Sequence, residues 1–385
     1  MITLNYLEKL LDGVEVEWKS LGEVSEIGTG SSNRQDEDER GKYPFYVRSK
    51  NVLKSNTFQF DETAIVVPGE GGIGDIFHFV QGKYALHQRA YRIHLLSNKV
   101  NTKFLYYIMS ESFKQYILMK SVGATSISIR KPMLEKFPIP IPPLKVQAEI
   151  VRILDAFTEL TAELTAELTA RKEQYEYYRD KLLTFEEGEV EWKSLGEVSE
   201  YSRTRIASAS LDETNYVGVD NLLQNRAGKT DSNYVPTEGN STGYFANDIL
   251  IGNIRPYLKK IWIAECIGGT NGDVLVIHPT DKEVNPKFLY QVLAADSFFD
   301  YNMQHVKGAK MPRGNKDKIM EYLIPIPYPR NPIKSLEEQE RIASILDKFD
   351  ALTSSITEGL PREIELRQKQ YEYYRNMLLN FPKEA

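Results

Sequence analysis

Apolar residues recur along residues 146–185 in a 4-3 rhythm: Ile150, Leu154, Phe157, Leu164, Leu168, Tyr175, Tyr178 and Leu182, with Thr161 and Arg171 filling two intermediate places. A stripe that returns every 3.5 residues stays on one narrow face of a helix and reads as a coiled-coil seam. Between stripe positions the chain is mostly Ala, Glu, Lys and Arg, which favour helix. About 39 residues at ~1.5 Å of rise each predict a rod of about 58 Å. A lone rod would leave its stripe in water, but the chain supplies a candidate partner. Residues 338–381 rewrite the segment, with Ile342, Ile345, Phe349, Leu352, Tyr371, Tyr374 and Leu378 as the second stripe.

The repetition extends beyond the rods. Residues 15–26 read EVEWKSLGEVSE and residues 189–200 read the same twelve letters; QYEYYR, IPIP and KFLY each occur twice, in the same order. The chain is therefore two half-molecules in tandem. Each half predicts an opening strand with the twelve-residue signature, a variable block, a helix led by KFLY, a Pro-punctuated extended connector and a rod. Short β-branched and aromatic runs at residues 63–68, 75–80, 90–95, 248–254 and 274–278 predict strands. Helices are expected over residues 102–119 and 285–303. Pro138, Pro140, Pro142 and Pro143 exclude helix from the first connector. The leading MITLNYLEKLLDG resembles a rod end.

The halves differ where they do not carry the frame. Across residues 147–161 against 339–353, eight of fifteen positions are identical, whereas residues 28–94 and 202–278 share little beyond a strand-turn-strand outline. A duplicated scaffold thus carries two different surfaces. The rods also differ by four residues, about one helical turn. The first holds TAEL twice in succession (161–164 and 165–168), and Gly359-Leu-Pro361 in the second predicts a kink.

A chain of 385 residues has room for two or three domains. No apolar run reaches the ~20 residues of a membrane span, and the first residues lack a signal-peptide core, so cytoplasm is the expected compartment. The single cysteine, Cys266, excludes an internal disulfide and a multi-cysteine metal site. The net charge of −6 argues mildly against a nucleic-acid binder. Many of the acids, however, lie in the rods and in residues 36–39, which leaves room for local basic patches.

Candidate chemistry narrows quickly. Gly69-Glu-Gly-Gly-Ile-Gly74 matches a dinucleotide fingerprint by letters, but strand-like residues follow it instead of the helix whose N-terminus would hold a phosphate, so it reads as a tight turn. Gly228-Lys-Thr230 lacks the earlier glycine of a phosphate loop. The five histidines show no metal-ligand spacing. Nucleophile elbows, cysteine–histidine motifs and amino-methyltransferase motifs are absent from the sequence, so nothing points to catalysis by this chain. The basic, glycine-containing loops point elsewhere. Residues 122–131 (VGATSISIRK) and 306–318 (VKGAKMPRGNKDK) stand at equivalent places in the two halves. From these loops and their neighbours the candidate DNA contacts are Arg34, Arg48, Lys50, Ser126, Ser128, Arg130 and Lys131 in the first half. In the second they are Arg203, Arg205, Asn253, Arg255, Lys259, Lys260, Lys310, Arg313 and Lys316. Arginine pairs bidentately with guanine, and lysine and small polar groups hold phosphates.

Two variable blocks opening with EWKSLGEV, closing with IPIP and Q..I..ILD.F, and joined by TAEL-bearing helices resemble the specificity subunit of type I restriction-modification enzymes over nearly the whole chain. The resemblance implies an α+β fold: two mixed α/β target-recognition domains (15–145 and 187–335), separated by two long antiparallel helices (146–186 and 336–385) that form an intramolecular coiled coil. A short helical segment (1–14) precedes them, and the repeat is pseudo-twofold. It implies that each domain reads half of a split, asymmetric site in double-stranded DNA and that helix length sets the gap. It also implies two modification subunits as partners, with restriction subunits able to join. S-adenosylmethionine, ATP and Mg are expected on those partners and no cofactor on this chain. A stand-alone DNA-modifying enzyme and a protein-binding coiled-coil adaptor are the competing readings.

Overall fold

A computed structural model describes residues 6–72, 74–120, 128–186, 188–354 and 358–382. The chain divides into two compact units, Met1–Thr161 with Arg367–Ala385, and Ala162–Leu366. Each division falls inside a rod, so each unit holds a variable block, the first half of its own rod and the last half of the other.

Unit 1 is built on a six-stranded sheet. Its order is Ser25–Thr29, Ala90–Leu95, Phe60–Pro68, His78–Leu86, Tyr43–Tyr46 and Leu53–Ser55. All its pairings are antiparallel except that of Phe45 and Tyr46 with Ala85 and Leu86. Unit 2 has a four-stranded sheet in the order Ser199–Tyr201, Val274–Pro279, Ile249–Gly252 and Ile261–Ile263. This repeats the first four places of the unit 1 sheet. A further four-stranded sheet (Arg205–Ala207, Asn240–Tyr244, Gly268–Thr270, Tyr216–Val217) belongs to unit 2, and no hydrophobic run in the sequence predicts it.

The duplicated signature forms strand, helical turn and strand rather than one strand. Glu17–Ser20 and Val190–Ser194 end in serines that cap the turns Leu21–Val24 and Leu195–Val198. The S-x-x-E spacing makes a capping box each time: Glu23 accepts from the Ser20 amide at 2.7 Å and Glu197 from the Ser194 amide at 2.6 Å. The Pro-rich connectors are also strands. Pro138–Ile141 pairs antiparallel with Glu17–Ser20, and Leu323–Pro327 with Val190–Ser194. Alternating Ile and Pro serve this: prolines lack a donor and tolerate only the unpaired side of an edge strand, while Ile139, Ile141, Ile324 and Ile326 are buried.

Thr102–Lys120 is helical as expected, but residues 285–303 form two helices, Pro286–Leu293 and Asp296–Gln304. Ala295 is extended (ψ 152°) at the break. The Ala294 carbonyl is taken by the Arg226 guanidinium, a contact from a distant loop that the local sequence does not announce. Leu7 and Leu11 of the helix Tyr6–Leu11 enter the unit 1 core beside Leu378 and Leu379.

The first rod is one helix, Leu144–Leu183; the second is Pro332–Ser354 followed by Gly359–Leu379, with Gly359 at φ +74° where the kink was expected. In unit 1, Phe157 stacks on Tyr374 (5.3 Å between centroids) and lies 6.5 Å from Tyr371. In unit 2, Phe349 stacks on Tyr175 (5.9 Å) and Tyr178 (5.5 Å). Partners run backward along the second rod as the first runs forward, so the helices pair antiparallel. Ile150, Leu154, Ile342, Tyr175 and Leu378 are buried; Leu164, Leu168, Leu182, Ile345 and Leu352 are half-buried and Tyr374 is 37% exposed. In the second rod Leu346 is fully buried where the 4-3 rhythm places Ile345. The reason is that this helix also packs against Pro286–Leu293, which widens its apolar face beyond a two-helix seam.

Candidate nucleic-acid interface

In unit 1 the loops 30–36, 69–77 and 87–89 meet at one end of the six-stranded sheet, because antiparallel pairing brings Thr29 beside Tyr91 and Pro68 beside Ala90. The His87 amide, donating to the Tyr46 carbonyl at 2.9 Å, brings the loop 47–52 to that end. The amide of Ile129 donates to the Gly69 carbonyl at 2.9 Å, which draws Ser128 and Arg130 to that end as well. The glycine run there is a hairpin loop between strands, as expected. Gly71, Gly72 and Gly74 adopt φ of +74°, +55° and +70°, and Lys114 pins the loop through Asp75 at 2.7 Å. Ser126 lies outside the described residues.

These loops enclose a cavity of about 480 Å³ lined by Arg34, Arg48, Asn51, Glu70, Gly71 and His87, among others. Glu70 Oε2 accepts from Arg48 Nη1 at 2.9 Å and from Arg89 Nη1 at 3.1 Å. The two guanidiniums, Arg89 first, hold the Glu70 carboxyl below its usual range. His87 is buried, and its Nδ1 accepts the Arg89 backbone N–H at 3.0 Å, which leaves the proton on Nε2. Burial, then Arg48 and Arg89, push its pKa down, so the ring is neutral at neutral pH. Arg34 is exposed, 3.6 Å from Glu37, and Lys50 is exposed. Arg130 caps the short helix Lys131–Glu135, within which Lys131 lies 3.7 Å from Glu135.

Unit 2 presents the corresponding sheet end. The amide of Arg255 donates to the Pro312 carbonyl and that of Gly314 to the Asn253 carbonyl, so residues 306–316 dock on the loop after Ile249–Gly252. Paired backbone hydrogen bonds between Lys307 and Arg313 (2.8 and 2.9 Å) make a hairpin turn carrying exposed Lys307, Lys310, Met311 and Arg313. Arg313 also reaches Asp273 at 3.2 Å, and Arg255 and Tyr257 stand exposed beside it. Lys316 is exposed and its carbonyl accepts from Tyr201.

Not every expected residue joins this surface. Lys259 is tied to Asp296 at 2.7 Å and Lys260 donates to the Val219 carbonyl at 2.6 Å; burial lowers the pKa of both. They hold loops in place. Asn253 is buried, and Arg205 donates to Thr242 across two strands while Arg203 is exposed nearby. Glu70, His87, Arg89, Asp273 and Lys307 complete the sheet-end clusters but were absent from the sequence-derived set. Arg89 had a signal, since it sits in the three-residue turn between the strands His78–Leu86 and Ala90–Leu95. The acids had none, because their role depends on loops distant in sequence.

Each unit thus carries arginine-bearing loops, partly neutralised by a carboxylate, at one end of a shared strand frame. Among the described residues no cluster of His, Cys, Asp or Glu could hold a metal ion, and no helix is long and apolar enough to cross a membrane. The class defined is a duplicated nucleic-acid-binding protein on paired helices. A family model for the type I restriction modification DNA specificity domain matches residues 13–173 and again 187–366. The chain belongs to that family. It is 33% identical over 414 residues to the specificity subunit of the type I restriction enzyme EcoR124I/EcoR124II of Escherichia coli, covering 100% of this chain and 98% of that one. It is 32% identical over 417 residues to a putative type I restriction enzyme specificity subunit of Haemophilus influenzae, covering 98% of both. The fold matches the crystal structure of a type I restriction-modification S subunit from M. genitalium with a TM-score of 0.66 at 16% identity, over 97% of this chain and 98% of that one.

Proposed function

We propose that this chain is the DNA-reading subunit of a type I restriction-modification assembly, with each unit reading one half of a bipartite, asymmetric duplex site. The observation that carries this is the twin frame: the same four-strand order in both units, with unlike arginine loops at the same sheet end. Lysines and backbone amides there would fix register on phosphates, while a few arginines reach base edges. Once one half-site is held, linkage raises the effective concentration of the other.

Two modification subunits dock on this chain, and restriction subunits can join them. The duplicated QYEYYR segment supports the pair, since Tyr177 and Tyr373 occupy equivalent positions and are 60% and 65% exposed. S-adenosylmethionine binds the modification subunits, ATP and Mg the restriction subunits, and this chain acts in the cytoplasm without a cofactor of its own. The test is genome-wide mapping of adenine methylation in cells expressing the chain with its modification partner. A two-part asymmetric motif with a fixed gap is expected. A contiguous motif, or methylation without sequence preference, would refute the reading.

A further inference from the structure

We propose that Arg48 and Glu70 together read one G·C base pair in the major groove, with Arg89 positioning Glu70. The proposal rests on the DNA-reading function above and names the residues that specify a base in unit 1.

The chemistry of the edge decides the base pair. In the major groove guanine offers two acceptors, N7 and O6, and its cytosine offers one donor, N4. An arginine beside a carboxylate offers the complement: two donors, then one acceptor. An A·T edge instead places the adenine amino donor against one arm of the guanidinium and thymine O4, an acceptor, against the carboxylate, so the fork loses one of its two acceptors and the carboxylate loses its donor. Arg48, Glu70 and His87 line the cavity of about 480 Å³ at the sheet end. Arg89 is not among the lining residues yet shares the same carboxylate oxygen, Oε2, at 3.1 Å. That oxygen is therefore occupied from two sides, while Oε1 has no hydrogen bond among the described residues.

The side chains of Arg48 and Glu70 are each 45% exposed. An ion pair so wet contributes little to folding. Its geometry suits contact with a ligand instead. The carboxylate also cancels part of the arginine charge, which makes the fork less a phosphate clamp than a patterned donor–acceptor edge. His87 fixes the base of the loop: its Nδ1 holds the Arg89 amide at 3.0 Å, so the backbone that carries Arg89 cannot drift from the cavity floor.

The experiment maps adenine methylation in cells expressing the full chain and its modification partner, for wild type and for Arg48→Lys, Glu70→Gln and Arg89→Ala. Arg48→Lys keeps the charge and loses the bidentate fork. The expected result is a roughly tenfold or greater loss of discrimination at one G·C position of one half-site in all three variants. The other half-site and the gap should be unchanged. The intact half-site, read in the same molecules, shows that the variant is folded and assembled. A uniform fall in methylation with no relaxed position would mark the fork as phosphate-binding and overturn the proposal. So would relaxation at an A·T position, in the other half-site, or in none. If every variant lost all methylation while its circular dichroism stayed native, the assignment would also fall. A wild-type chain that directs no two-part motif would instead sink the proposed function and this assignment with it.

Discussion

Gln147 Oε1 accepts a 2.8 Å hydrogen bond from the backbone N–H of Asn101, while its Nε2 donates to the carbonyls of Lys99 and Pro142, each at 2.8 Å. Gln339 repeats the arrangement in unit 2: its Oε1 accepts from the Asn285 amide at 2.8 Å and its Nε2 donates to the Glu283 carbonyl and Ser335 Oγ, each at 3.0 Å. Both glutamines are fully buried. Each locks the start of a rod to the turn before the KFLY helix, so the rod is part of the globular core. Replacing Gln147 with Leu keeps the volume and strands three backbone groups. At ~1–3 kcal/mol for each buried unsatisfied group, with partial relaxation, the expected loss is about 3 kcal/mol. Urea unfolding of Gln147→Leu and Gln339→Leu should show it for each. The two share no partners, so their effects should add.

Phe349 lies against both Tyr175 and Tyr178 where the rods meet in unit 2. Removing it opens a cavity on a half-buried seam, and Phe349→Ala should cost about 2–4 kcal/mol. A spectroscopic signature goes with it. Burial pushes the Tyr175 hydroxyl up to about 12, with Asp350 adding to the shift, and the hydroxyl donates to Gln291 at 3.1 Å. A phenol raised in the fold contributes stability that is complete below the ordinary pKa near 10 and declines as pH rises toward 12. Burial raises Tyr84, Tyr107, Tyr201, Tyr244 and Tyr290 as well. In a titration of tyrosinate absorbance, the Tyr175 step is therefore the part of the late rise that Tyr175→Phe removes, and Phe349→Ala should shift that part downward.

The seam and the twin frame were legible because their signals are local and repeated. A 4-3 stripe, two copies of a twelve-residue signature and alternating Ile–Pro all act through backbone geometry. The signature still concealed a helical turn, although Ser20 and Glu23 spell a capping box. The clusters at the sheet ends were only half legible. Arg48 stood out as a loop arginine, but its partners arrive from two other loops, and which lysines are spent internally is decided by burial. Lys259 reads as exposed and basic, yet it faces Asp296 across two elements. At the split of residues 285–303, Arg226 reaches the Ala294 carbonyl from a loop dozens of residues earlier, a contact invisible to the local sequence.

His87 gives an acid-side prediction. Its folded pKa lies below the ordinary value because burial, then Arg48 and Arg89, oppose a charged ring, while Glu70 works weakly the other way. The unfolded chain therefore binds the proton first. As pH falls below ~6.5, protonation favours unfolding and stability declines until the folded ring also titrates. His87→Gln, which retains polarity without titrating, should flatten that part of the profile. Urea midpoints at neutral and mildly acid pH would show it; an equal acid loss in wild type and variant would remove His87 as the cause.

The TAEL pair lies within the single helix Leu144–Leu183, which runs without a break from one compact unit into the other. Inserting a third TAEL after Leu168 adds four residues, or ~6 Å, and turns the following stripe by only about 40°, so the apolar face is nearly preserved. The second rod has a place to adjust, because it is already divided between Pro332–Ser354 and Gly359–Leu379. With ~3.4 Å per base step, the gap between the two half-sites should lengthen by about one to two base pairs while both half-site sequences stay as they were. Methylation mapping of the insertion variant reads both quantities at once. A changed half-site would mean that the insertion distorted a reading loop, and an unchanged gap would mean that the rod does not measure the spacing.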